Sequence, residues 1–390
     1  MSEILRLLNP DSLRLLSSLT PISAKDDVLG TVTSLRKQGL DAELVAQLVT
    51  QLRLRFRAKS KFGEFATQML FTEAGLEQAS RLAVAAHHAD RFLKHGITSV
   101  TDLGCGIGAD SLAFATMGLR VVSVEKDPET AALAAFNLAP FENAKVELGD
   151  AQEFNPDTQA LWFDPARRNL ETKTESRQMV SPSDFSPDLD WVFSQARLKP
   201  TGVKLGPAFP HELIPEDCEA QWVSHQGDLV ELSLWFGTLG KSGRSALMLG
   251  ETSHQLSAEE VELAPVGELS AYLFEPDPSL IRSGLMGNLA NQLGLWSISP
   301  GIAYLSGSEV VSSPWLKTYE VLEVLPLDEK RLAAWCRDND IGIVEIKKRG
   351  VDITPEALRP KLKLKGAGAV TMVLTKVGDA RRALICRPIR

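Results

Sequence analysis

A chain of 390 residues has room for about two or three domains, and a hydrophobic fraction of 44% is ordinary for a globular protein that buries its own core. No apolar run reaches membrane-spanning length, which argues against a membrane-embedded chain. The four cysteines, Cys105, Cys218, Cys336 and Cys386, form no CxxC pair, so neither a zinc site nor a disulfide framework is expected and a reducing cytoplasm fits. The net charge of −8 is uneven: residues 341–390 carry twelve Lys and Arg against four Asp and Glu, a local +8, which leaves −16 on the rest. An acidic body with a basic end is compatible with phosphate contact through that end. A second basic run, Arg53, Arg55, Arg57, Lys59 and Lys61, contains no acid and reads equally well as solvated surface.

Residues 1–95 read as helical. The leucine-rich start, MSEILRLLNPDSLRLLSSL, has charges among its leucines and no small-residue cleavage site, so it reads as a packed helix and not as a signal peptide. Over Ala79–Leu93, helical spacing puts Ala79, Leu82, Ala83, Ala86, Ala89, Phe92 and Leu93 on one predicted core face. His87 and His88 are sequence neighbours in that helix and point in different directions, so no joint metal site is expected. The preceding stretch, KFGEFATQMLFTEAGLEQAS, turns at Gly63 and near Gly75 and is either a lid over a ligand or a plain connector.

From residue 96 to about 240, strands and helices alternate as in a doubly wound sheet. The stretch SVTDLGCGIGAD reads as a strand, Val100–Leu103, a glycine turn at Gly104, Gly106 and Gly108, and a helix over Ala109–Met117. Glycine there permits positive φ and close approach of backbone to a ligand, which meets the free N–H groups of the helix start. Gly104-Cys105-Gly106-Ile107-Gly108-Ala109 also matches the relaxed dinucleotide fingerprint. Asp102, two residues before the first glycine, favours instead a ligand with a cationic amino group, such as S-adenosylmethionine. Glu125 ends the next strand, 21 residues after Gly104, where a ribose-binding acid belongs in either case. Pro128 then opens a helix to Leu138. Further strands end at Gly149-Asp150 and at Asp164-Pro165-Ala166-Arg167-Arg168, and another runs Gly202–Leu205. Ligands in such sheets bind beyond the carboxyl ends of the strands, and Asp102, Glu125, Asp150 and Asp164 all lie there. Beyond about Leu256, prolines punctuate short segments of a separate α+β region.

The runs DLGCGIGAD, VVSVEKDP, ELGDA and WFDPARRN resemble the class I S-adenosylmethionine-dependent methyltransferases. With KFGEFATQMLFTEAGLEQAS, VKLGPAFPHELIP, WVSHQGDLVELSLWFG, YLFEPDPSLIRSGL, IAYLSG and IKKRGVDITPEALRPKLKLKG, the pattern resembles the bacterial branch that carries a C-terminal THUMP-like domain. It is more distantly similar to trimethylguanosine synthases. The resemblance implies an α/β class I (Rossmann-like) methyltransferase core with an N-terminal helical segment and a C-terminal α+β region. The boundaries expected are 1–95 helical, 96–255 catalytic core, 256–315 a small ferredoxin-like or linking module, and 316–390 THUMP-like.

It also implies roles. Asp102 and the loop Gly104, Cys105, Gly106 and Gly108 would hold the methionine end of S-adenosylmethionine, Glu125 the ribose hydroxyls, and Asp150 and Ala151 would flank the adenine, with Lys126 a further cofactor-binding residue. Asp164 and Pro165 match the start of the motif by which amino-group methyltransferases hold a target amine. Ala166 and Arg167 stand where that motif has a second proline and an aromatic, so Arg167 is expected to stack on a base, bind phosphate, or form a structural ion pair. Uridine C5 chemistry is set aside, because the strand GVKLGPAF has no cysteine. Lys347, Lys348, Arg349, Arg359, Lys361, Lys363 and Lys365 are expected phosphate contacts. The implied activity is methylation of a base nitrogen, guanine N2 foremost, in structured RNA such as tRNA or rRNA, in the cytoplasm. A methyltransferase acting on a small molecule or protein, and a non-catalytic cofactor- and RNA-binding protein, remain as alternatives, with an NAD enzyme more distant.

Overall fold

The apolar runs between residues 99 and 205 form the parallel sheet that their alternation with helices predicts. The computed structural model describes residues 7–23, 26, 28–167 and 180–389. The chain divides into two units, Met1–Glu219 with Ser233–Lys241, and Ala220–Leu232 with Ser242–Arg390.

Unit 1 begins with helices α1 (Pro10–Ser18), α2 (Val28–Lys37), α3 (Ala42–Phe62), α4 (Glu73–Gln78) and α5 (Leu82–Lys94). Next come β1 (Ser99–Leu103), α6 (Ala109–Thr116), β2 (Arg120–Glu125), α7 (Pro128–Leu138), β3 (Ala144–Leu148) and β4 (Ala160–Phe163). A short pair, β5 (Ala166–Arg167) and β6 (Phe185–Ser186), precedes α8 (Leu189–Ala196) and β7 (Thr201–Leu205). The parallel strands lie in the order β7–β4–β1–β2–β3. Strands β1, β4 and β7 are buried at every position, as strands covered on both faces must be, whereas the edge strand β3 is half open. Trp162 of β4 and Trp235 pack 5.6 Å apart in this core. Gly202 makes room for them: a Cβ there would lie 2.5 Å from Trp162 and 2.8 Å from Trp235.

Helix α5 departs from its predicted face. Its buried residues are Val84, Ala85, His88, Ala89 and Phe92, while Ala83 and Leu93 are exposed. The cause is His88, which packs 4.3 Å from the Trp162 ring and bonds Asp110 through Nδ1 at 2.9 Å. A buried carboxylate draws the polar residue in and turns the apolar positions with it.

The basic run on α3 also departs from a purely surface role. Arg53, Arg57 and Lys59 are exposed, but Arg55 is buried and donates to Met69 O at 2.9 Å. Lys61 donates to the main-chain oxygens of Leu76, Glu77 and Ala79, each at 2.8 Å. Burial lowers the Arg55 guanidinium to about 10, and burial with repulsion from Lys204 and Arg81 lowers Lys61 to about 8. Gln51 and Asn137 bond the main chain of Phe71 and Leu70. Residues 69–79 are therefore more than a connector: they are fastened beside the glycine loop, and a Cβ at Gly75 would lie 2.6 Å from Ile107 of that loop.

Strands β8 (Cys218–His225) and β9 (Asp228–Phe236) are joined at Gln226 and Gly227, both at positive φ as a tight hairpin turn requires. Unit 2 continues with β10 (Gly243–Leu249) and β11 (His254–Ala258), then β12 (Tyr272–Pro276), α9 (Pro278–Ser283), α10 (Met286–Leu293), β13 (Trp296–Ser297) and β14 (Leu305–Gly307). It ends with β15 (Leu316–Pro326), α11 (Glu329–Asp338), β16 (Ile341–Lys348), α12 (Pro355–Leu358), β17 (Gly368–Val377) and β18 (Ala380–Ile389). Its second sheet runs β13–β14–β12–β15–β18–β17–β16, with β16 and β17 parallel and the other pairs antiparallel. All four cysteines are buried free thiols, and no helix among the described residues is long and apolar enough to cross a membrane.

Because Gly202 sits against two indoles, Gly202→Ala is expected to lower stability by about 1–3 kcal/mol through overpacking. The check is a urea titration, in which the midpoint falls and the slope is unchanged.

Candidate functional site

Strand register alone brings the predicted residues together. Leu103 lies opposite Val124 on one side and Phe163 on the other, Phe163 opposite Val203, and Glu125 opposite Leu148. The residues at the next step, Gly104, Glu125, Asp164 and Lys204, line the carboxyl edge of the sheet. The glycine loop is held to β2: the N–H groups of Gly104 and Cys105 donate to Val124 O at 2.9 and 3.1 Å, and Gly106 N–H donates to Glu125 Oε2 at 3.0 Å. Gly104, Gly106 and Gly108 have φ of 87°, 55° and 82°, the left-handed region that only glycine enters freely. A Cβ at Gly106 would meet nothing within 4 Å, and one at Gly104 would lie 3.8 Å from the main-chain oxygen of Asp164.

The Cys105 thiol is buried, and burial, with Asp102 and Glu125 nearby, pushes it well above its usual range, so it is no nucleophile. Glu125 Oε1 accepts from Asp127 N–H at 2.9 Å, and Lys126 Nζ donates to Ser186 Oγ at 2.8 Å. Asp150 is exposed and accepts from Gln152 N–H at 2.9 Å, beside buried Ala151. Pro165 is buried. Ala166 and Arg167 are exposed, with Arg167 opposite Phe185 in the β5–β6 pair and in no ion pair with a described residue. Arg168 lies outside the described residues.

Three buried or half-buried carboxylates meet here. Asp102 is 1% exposed; its Oδ2 accepts from Ser111 Oγ at 2.5 Å, and its Oδ1 has no hydrogen-bond partner among the described residues. Burial, then the charge of Asp110, pushes it well above the usual carboxylate range. Burial alone would do the same to Asp110, but Lys204, His88 and Ser80 bring that carboxyl below its ordinary value. Asp164 Oδ2 accepts from Lys204 Nζ at 2.5 Å, and the same ammonium is 3.8 Å from Asp110 Oδ2. Two of the three acids thus have a cation within 4 Å, whereas Asp102 makes no ion pair with a described residue and feels Lys204 only as the smallest of its influences.

No motif in the sequence gives Lys204, Asp110, His88 or Ser80 a role. One signal is present all the same. Lys204 stands in the otherwise apolar strand Gly202–Leu205, and a cation within a buried run demands a buried anion.

In unit 2 the predicted phosphate contacts separate into two sets. Lys347 donates to Glu275 Oε2 at 2.7 Å. Arg349 donates to Ala303 O and, at 3.4 Å, to Glu275 Oε1, and it lies over the Tyr304 ring. Lys348, Arg359, Lys361, Lys363 and Lys365 are exposed, with Lys361 bonded to Glu329.

A family model described as THUMP domain-like matches residues 316–388, and one described as a domain of unknown function matches residues 1–58. An uncharacterized S-adenosylmethionine-dependent methyltransferase of Mycobacterium tuberculosis is 32% identical over 358 residues, covering 88% of this chain and 97% of that protein, in strains CDC 1551 and H37Rv alike. A crystal structure of a candidate methyltransferase from Porphyromonas gingivalis superposes with a TM-score of 0.76 at 21% identity, covering 100% of this chain and 98% of that one, which shows a shared fold.

Asp102 is raised in the folded chain, so whatever stability it contributes is present below its unfolded pKa and lost as pH rises through the folded one. Asp102→Asn keeps the size and removes the ionisation. It is expected to gain on the wild type as pH rises from 4 to 9, by about 1–3 kcal/mol at the alkaline end. Urea midpoints of both proteins across that range provide the check.

Proposed function

The chain belongs to the S-adenosylmethionine-dependent methyltransferases, and from that premise we propose that it methylates a base nitrogen of structured RNA, with guanine N2 of a tRNA or rRNA first among the targets. The cofactor supplies, when bound, an electrophilic methyl group on a sulfonium. The residues present fit it. Asp102 is a buried acid short of a cation, and the cofactor's ammonium is one. The loop at Gly104, Cys105, Gly106 and Gly108 is open at Gly106, where a side chain would otherwise stand. Each oxygen of Glu125 keeps a lone pair beyond its bonds to Gly106 and Asp127, enough to accept from ribose hydroxyls. Lys126 follows Glu125 at the end of β2, and Asp150 and Ala151 follow β3, where this reading puts the adenine.

The observation that carries the choice of a nitrogen is the position of Asp164. Its carboxylate and its main-chain oxygen, the latter 3.8 Å from the Cβ position of Gly104, set two acceptors beside the loop. An amino group has two N–H bonds to give them, a hydroxyl one, a ring carbon none. Holding both N–H bonds fixes the direction of the nitrogen lone pair, so catalysis is chiefly positioning. Buried Pro165 stiffens the carbonyl, and exposed Arg167 offers a planar cation for a base or a phosphate. The choice of RNA is supported by the THUMP domain-like match and by Lys348, Arg359, Lys361, Lys363 and Lys365 exposed within it. Lys347 and Arg349 are committed to Glu275 and contribute less.

The test is transfer of tritium from labelled S-adenosylmethionine to total RNA from a deletion strain and from wild type. Label entering only the deletion-strain RNA is expected, and nucleoside analysis then names the atom. No label in either, with cofactor binding intact by calorimetry, overturns the RNA reading in favour of a small-molecule or protein substrate. Asp164→Asn is expected to reduce transfer about 100-fold or more while leaving the cofactor Kd unchanged; Asp102→Asn is expected to raise that Kd about 30-fold. Replacing Lys363 and Lys365 together should lower the slope of log K against log salt for RNA by about 2.

A further inference from the structure

We propose that Lys204 is a positioning residue for Asp164: it holds that carboxylate as an acceptor and fixes its direction, and is itself held by a buried chain of polar groups reaching back to His88. The proposal rests on reading Asp164 as the acid that receives the substrate's amine.

The register puts Lys204 one step beyond Val203, beside Asp164 one step beyond Phe163. The side chain of Asp164 is 33% exposed, while those of Lys204 and Asp110 are 10% and 6% exposed. The ammonium is therefore buried on the protein side of a carboxylate that is itself partly exposed. Among the described residues the ammonium donates to Asp164 Oδ2 at 2.5 Å, Ser80 Oγ at 3.0 Å and Gln78 O at 3.4 Å. A neutral amine has only two hydrogens to give, so three acceptors specify the ammonium.

The chain behind it is continuous. Ser80 Oγ donates to Asp110 Oδ2 at 2.9 Å, and Asp110 Oδ1 is bonded to His88 Nδ1 at 2.9 Å. Lys204 thus joins α5, α6 and the end of α4 to the substrate-side acid. It touches no expected position of the reacting atoms; it acts through Asp164. Among the described residues, the charged groups that act on this pair are Asp102 from β1, Asp110 from α6 and Lys61 from α3, with His88 of α5 against Asp110 and Arg81 against Lys61. Asp102 and Asp110 both oppose a third negative charge. The ammonium of Lys204, bonded to Asp164 Oδ2, is a described contact that opposes them. A protonated Asp164 would present an O–H to the amine it must accept from, so loss of the ammonium misdirects the site without removing the acid.

The experiment monitors Asp164 directly, on the full-length protein with 13C at the aspartate γ-carboxyls and with no RNA present. Its signal is assigned by disappearance in Asp164→Asn. In Lys204→Met the titration midpoint of Asp164 is expected to rise by about 1–3 pH units, and Lys204→Arg, which keeps a cation, to restore most of the wild-type value. Lys204→Gln, which keeps hydrogen bonding without charge, gives the same reading should the methionine variant fold poorly. In RNA methylation the acid limb of kcat should move up by the same interval, with the cofactor Kd within about threefold of wild type. An Asp164 midpoint that stays put in both neutral variants overturns the proposal. Absence of RNA methylation by the wild type, with the midpoint shifting as described, overturns the substrate reading and leaves this one standing.

Discussion

A charge removed from water needs an opposite charge or hydrogen bonds in its place, and unit 1 brings Asp102, Asp110, Asp164 and Lys204 together at the end of one parallel sheet. Much of the local structure is a response to that demand. Helix α5 is turned so that His88 reaches Asp110. Ser80 lies where it can bond Asp110 and Lys204 together. Ser111 and Ser123 form a relay, 2.7 Å apart, that ends on Asp102 Oδ2. What is left over among the described residues is Asp102 Oδ1, a buried oxygen with no hydrogen-bond partner, which under the proposed function is met by a cationic group of the cofactor.

The sheet and its glycine loop were legible in the sequence because they are local. Gly104, Gly106 and Gly108 occupy positions where positive φ is required, Pro128 opens α7 with Asp127 capping it, and Glu125 and Asp164 each follow four buried residues. The partners of those acids were not legible, because they come from elsewhere in the chain. Lys204 is bonded to Ser80, 124 positions away, and Asn137 holds Leu70 across 67. Apolar spacing placed Ala89 and Phe92 of α5 inside, where they are, but also Ala83 and Leu93, which are exposed. Counting hydrophobic positions takes histidine for solvent-facing, whereas an imidazole between an indole and a carboxylate is well placed inside.

The basic segments show the same effect. In the sequence, Arg55 and Lys61 belong to an unbroken positive run, and Lys347 and Arg349 to another. In each case part of the run turns inward: Arg55 and Lys61 to main-chain oxygens, Lys347 and Arg349 to Glu275 of β12, more than 70 positions earlier. Summed charge overstates what a surface can offer to phosphate. Of the exposed set that remains, Lys348 ends β16, whereas Arg359, Lys361, Lys363 and Lys365 lie close together in and just beyond the turn after α12.

The departure at Ala166-Arg167 is best understood from the planar groups around Asp164. Phe185, opposite Arg167 in the β5–β6 pair, packs edge-on against Phe209 at 6.1 Å, and both rings are buried. Neither offers a free face. Arg167 is the exposed planar group beside the buried proline. Under the proposed function, stacking on a base then falls to a guanidinium, which tolerates either purine or pyrimidine and adds attraction to neighbouring phosphate. Such a site discriminates little by the ring it stacks on. Choice of the target would rest with the hydrogen bonds at Asp164 and with how the RNA is held by its backbone, which gives the exposed lysines of the THUMP domain-like segment a part in selecting the nucleotide as well as in binding it.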